Sequence, residues 1–207
     1  NPGFQLLKKA LLMNGYWPFE FFAFGNWYLP TVGKTYAQYE AGLPPKTRNT
    51  LRRKTRKFLA DRRGRLEMVT GGEGLEKSIT DWVHIYNTSW KKPEPFPEFV
   101  PGLIRLCAEK GWLRLGVAYH DGVPIAAQIW IVNGGRAAIY KLAYDEAHAH
   151  FSAGTILTGY LMQQVLDVDR VSEVDYLIGD DPYKKEWMTH RRERFGIVAY
   201  NLRSIEG

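Results

Sequence analysis

Apolar residues in this chain follow a helical period in several segments before residue 112 and a strand period in the segment that begins there. In residues 47–63 they recur at i, i+4, i+7 and i+8, which predicts a helix with one packed face. We expect Thr47 to cap this helix and Gly64 to close it. Residues 73–90 and 98–110 show the same period and predict two more helices.

Beyond residue 112, apolar and polar residues alternate, as in strands that lie in a sheet. The strand candidates are residues 112–122, 123–135 and 136–146. Asp121-Gly122 and Asn133-Gly134-Gly135 separate them and are strong hairpin signals. The sequence therefore predicts an antiparallel three-stranded meander.

Shorter segments complete the predicted fold. The other expected elements are a strand or strand pair in 17–32, a short helix in 33–42, strands at 65–70, 173–178 and 195–202, a helix at 152–168, and a polar segment at 179–188. Helices and strands in this order indicate the α/β (α+β) class with a mixed sheet.

The composition is that of a globular protein. The 207 residues are 45% hydrophobic and 24% charged, and apolar runs such as residues 125–132 are far shorter than the roughly 20 residues that cross a bilayer. A single cysteine, Cys107, excludes an internal disulfide framework and favours a reducing cytoplasm; we expect a buried, inert thiol. Residues 1–10 lack a secretory pattern, and a start without Met suggests a fragment.

A turn of small residues precedes the predicted helix 152–168. It reads Phe151-Ser152-Ala153-Gly154-Thr155 and follows the third meander strand. A helix N-terminus carries unpaired N–H groups and a partial positive charge, and small residues let a phosphate approach it closely. The alternative is an ordinary N-cap at Ser152 beside small packing residues.

The order of these features resembles the GNAT acyltransferase superfamily. The stretch LRLGVAYHDGVPIAAQIWIVNGGRAAIYKLAYDEAHAHFSAGTILTGYLMQQVL and the later VDYLIGDDPYKKEW are similar to motifs of its CelD-like acetyltransferase group, which is related to the Fem-type aminoacyl transferases. LPPKTRNTLRRKTRKF and YNTSWKK resemble the group's basic helix and Trp-Lys segment. The resemblance covers about residues 36–187. Two departures are Ser-Ala-Gly where the family usually has Ser-Pro-Gly, and a shorter N-terminal part.

The resemblance implies a GNAT-like fold with a mostly antiparallel central sheet and acyl-CoA, most often acetyl-CoA, as co-substrate. It implies one domain over residues 34–207, including a basic helix at 46–64. Residues 1–33 are then N-terminal strands or the tail of an upstream GNAT-like half.

The resemblance also assigns binding residues. The turn formed by Ser152, Ala153, Gly154 and Thr155 would cradle the CoA pyrophosphate, and the strand that ends at Tyr144 would offer backbone groups to pantetheine. Trp90 and Lys91 would line the acceptor or CoA channel, although a core role for Trp90 is an alternative. We expect no metal, because the spacing of His148 and His150 suggests no further ligand.

The segment GDDPYKKEW carries the candidate catalytic groups. Asp180 and Asp181 can act as base or as anchor for the acceptor ammonium, and neighbouring carboxylates can raise one pKa. Tyr183 is a candidate acid for the leaving thiolate, and the resemblance assigns Lys184 to the developing negative charge. The alternative is structural: either aspartate caps a short helix that begins at Pro182.

Positive charge is concentrated in residues 46–65, which carry ten basic residues and one acid, a net +9 in a chain of net +6. Such a helix is most often a solvated face, but it can bind the 3′-phosphate of CoA, nucleic acid, an acidic glycan or an anionic membrane surface. We expect N-acyl transfer from acyl-CoA to an amine of a small molecule or glycan, in polysaccharide or cell-envelope metabolism. The alternatives are a Fem-type transferase that uses aminoacyl-tRNA, a nucleic-acid-binding module, and an inactive GNAT-like scaffold.

Overall fold

The computed structural model describes residues 2–60 and 62–201. Their helices and strands are α1 (Pro2–Met13), β1 (Tyr16–Pro30), α2 (Tyr36–Gly42), α3 (Pro45–Ala60), β2 (Gly64–Val69), α4 (Leu75–Asn87), α5 (Phe99–Glu109), β3 (Leu113–His120), β4 (Val123–Asn133), β5 (Arg136–Tyr144), α6 (Ala153–Gln163), β6 (Glu173–Asp175) and β7 (His190–Asn201). The strands form one sheet in the order β2-β3-β4-β5-β6-β1-β7.

The predicted α/β class with a mixed sheet is confirmed. Strands β2 to β5 are antiparallel neighbours, and β1 pairs antiparallel with both β6 and β7. Among the described strands, only β5 and β6 pair in parallel. The meander turns are as the sequence indicates: Asp121 and Gly122 both have positive φ, as do Gly134 and Gly135. A two-residue hairpin turn of type I′ requires positive φ at both central residues.

Helices cover both faces of the sheet. Along β3, Leu115 and Val117 point into a core formed with α4 and α5, whereas Ala118 points into a second core formed with α3 and α6. This alternation follows from the two-residue period of a strand. Cys107 is buried in the first core, where burial raises the pKa of its thiol.

The N-terminal segment differs from the prediction. Helix α1 was not expected; it is rich in good helix formers, and none of its residues is buried. Residues 17–32, expected as a strand or strand pair, contribute to the single strand β1. This strand lies inside the sheet between β6 and β7. The domain boundary at residue 33 stays a prediction.

Helix α3 begins two residues earlier than expected. Pro45 occupies its first turn, a position that proline favours, and Thr47 is therefore not the cap. The Thr47 hydroxyl instead donates to Glu186 Oε2 at 2.8 Å. Gly64 does not close this helix but starts β2, where a Cβ would lie 2.1 Å from Phe58 O. Residue 61, inside the predicted helix, lies outside the described residues.

The predicted helix at 152–168 consists of two segments, α6 and one π-helical turn (Gln164–Val168). A 3-10 helix (Glu146–Phe151) precedes them. Strand β6 is shorter than the expected 173–178, and β7 starts before residue 195; residue 202 lies outside the described residues. None of the helices that the structure describes is long and apolar enough to cross a membrane.

Candidate active site

The parallel strands β5 and β6 separate after three residues. They pair through residues 136–138 and 173–175. Beyond these residues β5 continues to Tyr144, whereas the segment that follows β6 leaves the sheet at Tyr176. A cavity of about 560 Å³, here called the main cavity, opens with Leu142 and Tyr144 on one side and Tyr176 on the other.

Residues from four parts of the chain line the main cavity. Helix α3 contributes Lys46, Thr47 and Thr50, and helix α6 contributes Gly154, Thr155 and Thr158. The sheet side contributes Gln128, Leu142, Tyr144 and Tyr176. The loops, together with a short 3-10 helix at Pro182–Glu186, contribute Trp90, Lys91, Asp181, Tyr183, Glu186 and Trp187.

The turn before α6 brings the start of this helix to the cavity. Ser152 adopts a left-handed conformation with φ 60°, which reverses the chain between the 3-10 helix and α6, and its side chain makes no capping hydrogen bond. The first described hydrogen bond into the helix runs from Ile156 N to Ser152 O at 3.1 Å. The N–H groups of the preceding turn have no intrahelical acceptor and carry the positive end of the helix dipole. Gly154 and Thr155 line the cavity, whereas Ala153 is buried in the core.

The buried amide of Gln128 fixes the floor of the cavity. Its Nε2 donates to Gly154 O at 2.9 Å and to Thr158 Oγ1 at 2.8 Å, and its Oε1 accepts from Trp130 Nε1 at 2.9 Å. Because every polar atom of this side chain has a partner, the contact orients the first turn of α6 against β4. Sequence reasoning did not select Gln128, although an amide within the apolar run of residues 125–132 is a signal.

The segment after β6 is held in shape by Lys184. Leu177 and Gly179 have φ of 54° and 105°, and the left-handed region is costly for a branched residue such as leucine. The Lys184 ammonium, whose residue is 5% exposed, donates to Ile178 O at 2.6 Å and to Gly179 O at 3.3 Å, and pairs with Asp181 Oδ2 at 3.2 Å. It lies behind the cavity wall and ties the turn together.

The two neighbouring aspartates point in different directions. Asp180 accepts from Trp27 Nε1 at 2.6 Å and pairs with Arg191 at 2.7 Å, so it is directed towards β1 and β7. The Arg191 guanidinium holds the pKa of the Asp180 carboxyl below its usual value. Asp181 lines the main cavity. A rise of one pKa, which neighbouring carboxylates can cause, does not occur at Asp180, because its carboxylate faces an arginine.

Two tyrosines flank the acidic end of the cavity. Burial, with the nearby Asp181 charge, raises the pKa of Tyr183 to about 12. Burial also raises the pKa of Tyr176 strongly. The rings meet edge to face at 5.8 Å between centroids. Both phenols therefore keep their protons at neutral pH and act as hydrogen-bond donors.

The loop after α4 covers the opposite side of the cavity. Trp90 packs on Tyr144 with ring centroids 4.5 Å apart, and Lys141 pairs with Glu94 of the same loop. Burial, and then the Lys141 charge, lowers the pKa of Lys91. The loop thus places one aromatic ring and one cation over the end of β5.

The structure brings most of the sequence-predicted site residues to one place. Seven of them line the main cavity: Tyr144, Gly154, Thr155, Trp90, Lys91, Asp181 and Tyr183. Ser152, Ala153, Asp180 and Lys184 lie around it without forming its wall. The chemical roles of all eleven stay predictions. The described residues contain no group of three or more His, Cys, Asp or Glu side chains that could hold a metal ion.

The sequence matches the model of one protein family. The description of that family is acetyltransferase (GNAT) domain, and the match covers residues 45–185, well over half of the chain. The chain belongs to the GNAT acetyltransferase family. The matched segment contains every lining residue of the main cavity except Glu186 and Trp187.

Solved structures of low sequence identity share this fold. FemX superimposes with a TM-score of 0.70 at 11% identity, over 95% of this chain and 68% of that one. The C-terminal domain of a lysylphosphatidylglycerol synthetase from Agrobacterium fabrum gives 0.62 at 12% identity, over 94% of this chain and 64% of that one. L-PGS from Bacillus licheniformis superimposes with a TM-score of 0.58 at 13% identity, over 95% of this chain and 66% of that one. At such identities the likeness establishes the fold alone, and the chain spans about two thirds of these structures. No curated protein matches the sequence.

Proposed function

We propose that this chain is an N-acyltransferase that moves an acyl group, most readily acetyl, from acyl-CoA to an amine. The observation that carries the proposal is one cavity with two chemically different ends. The N-terminus of α6 opens into it at Gly154 and Thr155, and the Asp181 carboxylate and Tyr183 phenol open into it from the segment after β6.

The donor end fits a pyrophosphate. A Cβ on Gly154 would lie 3.6 Å from Tyr144 Cδ1, so glycine leaves open the space above the first turn of α6. Unpaired N–H groups, the helix dipole and the Thr155 hydroxyl then offer donors to phosphate oxygens. The edge of β5 that β6 leaves unpaired beyond residue 138 is available to the amides of a pantetheine arm.

The acceptor end supplies groups for acyl transfer. The acceptor nitrogen forms a bond to the thioester carbon, the C–S bond breaks, and the nitrogen loses a proton, for which the Asp181 carboxylate is the acceptor. Tyr183 serves as hydrogen-bond donor to the departing sulfur. Since its pKa is about 12 and that of a thiol is about 8.5, the phenol keeps its proton and the sulfur leaves as thiolate. Lys184 acts by holding the turn that carries Asp181.

The acceptor is an amine on a small molecule or a glycan. Asp181 and Glu186 offer negative charge to an ammonium group, and the half-exposed rings of Trp90 and Tyr183 offer flat contact surfaces at the same opening. We place the reaction in polysaccharide or cell-envelope metabolism of a bacterium, in the cytoplasm, where the free thiol of Cys107 is stable.

The second candidate is a Fem-type transferase that takes its acyl group from aminoacyl-tRNA. The observation that favours it is the outer surface of α3, where Arg53, Arg56 and Lys57 are exposed to solvent. Part of the positive charge of this helix is compensated, because Arg52 pairs with Glu40 at 2.7 Å. This weakens the tRNA alternative.

Calorimetric titration with acetyl-CoA, at low and at high salt, tests the proposal. We expect binding in the micromolar range that weakens modestly with salt. If acetyl-CoA does not bind and a tRNA does, with affinity that falls steeply with salt, the donor is aminoacyl-tRNA. The same titration with pantetheine alone shows how much of the affinity comes from the phosphates and the adenosine together.

A further inference from the structure

A second, smaller cavity lies on the other side of the turn before α6. Its volume is about 170 Å³, and its wall is formed by Lys54, Lys57, Phe58, His120, His150 and Phe151. Among the residues that the structure describes, no acidic side chain lines it; the Asp121 carboxylate lies 3.7 Å from His120 Nδ1 and also pairs with Arg63. Two lysines around a small concave space are suited to an anion. This space is called the basic cavity below.

The basic cavity and the main cavity share both walls. On α3, Lys46 and Thr50 line the main cavity and Lys54 and Lys57 line the basic one. These positions are spaced i, i+4, i+8 and i+11 and form one stripe, about 16 Å long at the rise of an α-helix.

The opposite wall is equally continuous along the chain. His150 and Phe151 line the basic cavity, and Gly154 and Thr155 line the main one. Lys54 Nζ donates to His150 O at 2.8 Å, which joins the two walls. The start of α6 therefore lies between the cavities, and a ligand whose pyrophosphate lies there can extend an arm into each.

We propose that the basic cavity binds the adenosine 3′-phosphate of the acyl-CoA donor. This inference rests on the proposed function. A phosphomonoester carries between one and two negative charges at neutral pH, which Lys54 and Lys57 neutralise. The rings of His150 and Phe151 lie 4.1 Å apart between centroids, and His120 lies 4.3 Å from the same phenylalanine. They form an aromatic ledge against which the adenine stacks.

The assignment has a consequence for specificity. CoA and 3′-dephospho-CoA present the same pantetheine and pyrophosphate to the main cavity and differ in one phosphate group. The enzyme should therefore prefer CoA over 3′-dephospho-CoA by about tenfold or more, the effect of one charge-assisted hydrogen bond. The preference should shrink as salt is added, since the lysines are partly exposed.

The test is a calorimetric cycle between ligand and protein variants. The ligands are CoA and 3′-dephospho-CoA, and the proteins are the unaltered chain, Lys57→Met, Lys54→Met/Lys57→Met, and Arg53→Met. Arg53 is an exposed cation of the same helix that lines neither cavity. We expect the preference for CoA to fall in Lys57→Met, to disappear in the double variant, and to persist in Arg53→Met.

Three results would overturn the assignment. Equal affinity of the unaltered chain for the two ligands removes the basic cavity as a phosphate site while leaving acyl-CoA as donor. Failure to bind either ligand removes the proposed function itself. A double variant that weakens both ligands by the same factor shows that the lysines shape the turn, through the Lys54–His150 contact, without contacting the phosphate. Circular dichroism of each variant confirms that it is folded.

Discussion

At the scale of single residues, the absence of a side chain at Gly154 leaves space at the proposed donor site. Gly154→Val places a branched side chain above the first turn of α6, beside Tyr144, in the space that the pyrophosphate needs. We expect the affinity for acetyl-CoA, measured by calorimetry, to fall at least about tenfold. This corresponds to the loss of one or two charge-assisted hydrogen bonds.

The matched control is Gly102→Val in α5, where a Cβ would meet nothing within 4 Å. It makes the same change inside a helix, far from the cavity, and should leave the affinity unchanged. Normal binding by Gly154→Val would place the donor site elsewhere.

Lys184 has a structural contact in addition to the role in the reaction that the sequence predicts. Its buried ammonium satisfies two backbone carbonyls of the turn that carries Asp181. Lys184→Ala should lower the free energy of unfolding in urea by about 1–3 kcal/mol, because those carbonyls lose their donor. It should also lower turnover and leave CoA binding intact.

Lys185→Ala is the control, since Lys185 is the exposed neighbour. If Lys184→Ala lost turnover at unchanged stability, a direct interaction with the reacting atoms would be the better account. If turnover stayed normal, Lys184 would have no part in the reaction.

Which way a side chain points is the part of the site that sequence reasoning could not predict. Asp180 and Asp181 are equivalent by spacing, and both were candidates. Arg191 on β7 and Trp27 on β1 engage one of them, and the other is left at the cavity. Lys46, Thr47 and Thr50 were missed as wall residues for a related reason. Their place depends on how α3 docks against α6, for which the local pattern carries no signal.

At the scale of elements, α3 and α6 form the two walls of the proposed donor groove, and they meet where α6 has a glycine. A Cβ on Gly159 would lie 2.7 Å from Leu51 Cδ1. Gly159→Ala therefore forces the buried Leu51 side chain to move or the helices to separate. We expect a loss of about 1–3 kcal/mol in the free energy of unfolding, with weaker binding of acetyl-CoA because the walls shift.

A double-mutant cycle separates this contact from the general effect of alanine in a helix. Leu51→Ala alone creates a cavity and destabilises the protein. In the Leu51→Ala background, Gly159→Ala should lower the free energy of unfolding much less, or raise it. The obstructing methyl group is then gone, and alanine favours the helix. Additive losses in the double variant would show that the two side chains do not limit the approach of the helices.

Elements with a clear period were predicted well, and elements defined by tertiary contacts were not. The meander and helices α4 and α5 follow from apolar spacing and glycine-containing turns. Helix α1, which buries no residue, was missed although it is rich in good helix formers. The 3-10 helix before α6 and the left-handed Ser152 arise because the chain must turn sharply from β5 to α6. The sequence indicated a turn there but not its form.

At the scale of the whole molecule, the main cavity exists because two parallel strands separate. In the order β5-β6-β1, the short strand β6 lies parallel to the long strand β5. Beyond the three paired positions the two chain segments diverge. Strand order is a property of the assembled sheet, and no local stretch of sequence encodes it. The resemblance of motifs to a family was therefore the part of the sequence that indicated a site at this position.

Buried phenols make the stability of the whole molecule depend on alkaline pH. Burial, with a hydrogen bond to Asp81 at 2.6 Å, raises the pKa of Tyr119 from 10.0 to about 12. The native state then keeps a proton that the unfolded chain releases. The stabilisation is fully present below pH 10 and is lost as the pH rises towards 12. The slope from this one group is at most about 1.4 kcal/mol per pH unit.

Urea unfolding of Tyr119→Phe at a series of pH values from 9 to about 12 tests this sign and size. The variant should lose stability less steeply than the unaltered chain above pH 10, because one titrating group is removed. Tyr200→Phe is the control, since the Tyr200 ring on β7 is 58% exposed; its decline should match that of the unaltered chain. Equal declines in all three proteins would show that Tyr119 titrates alike in the folded and unfolded states, and that the buried contact with Asp81 does not protect its proton.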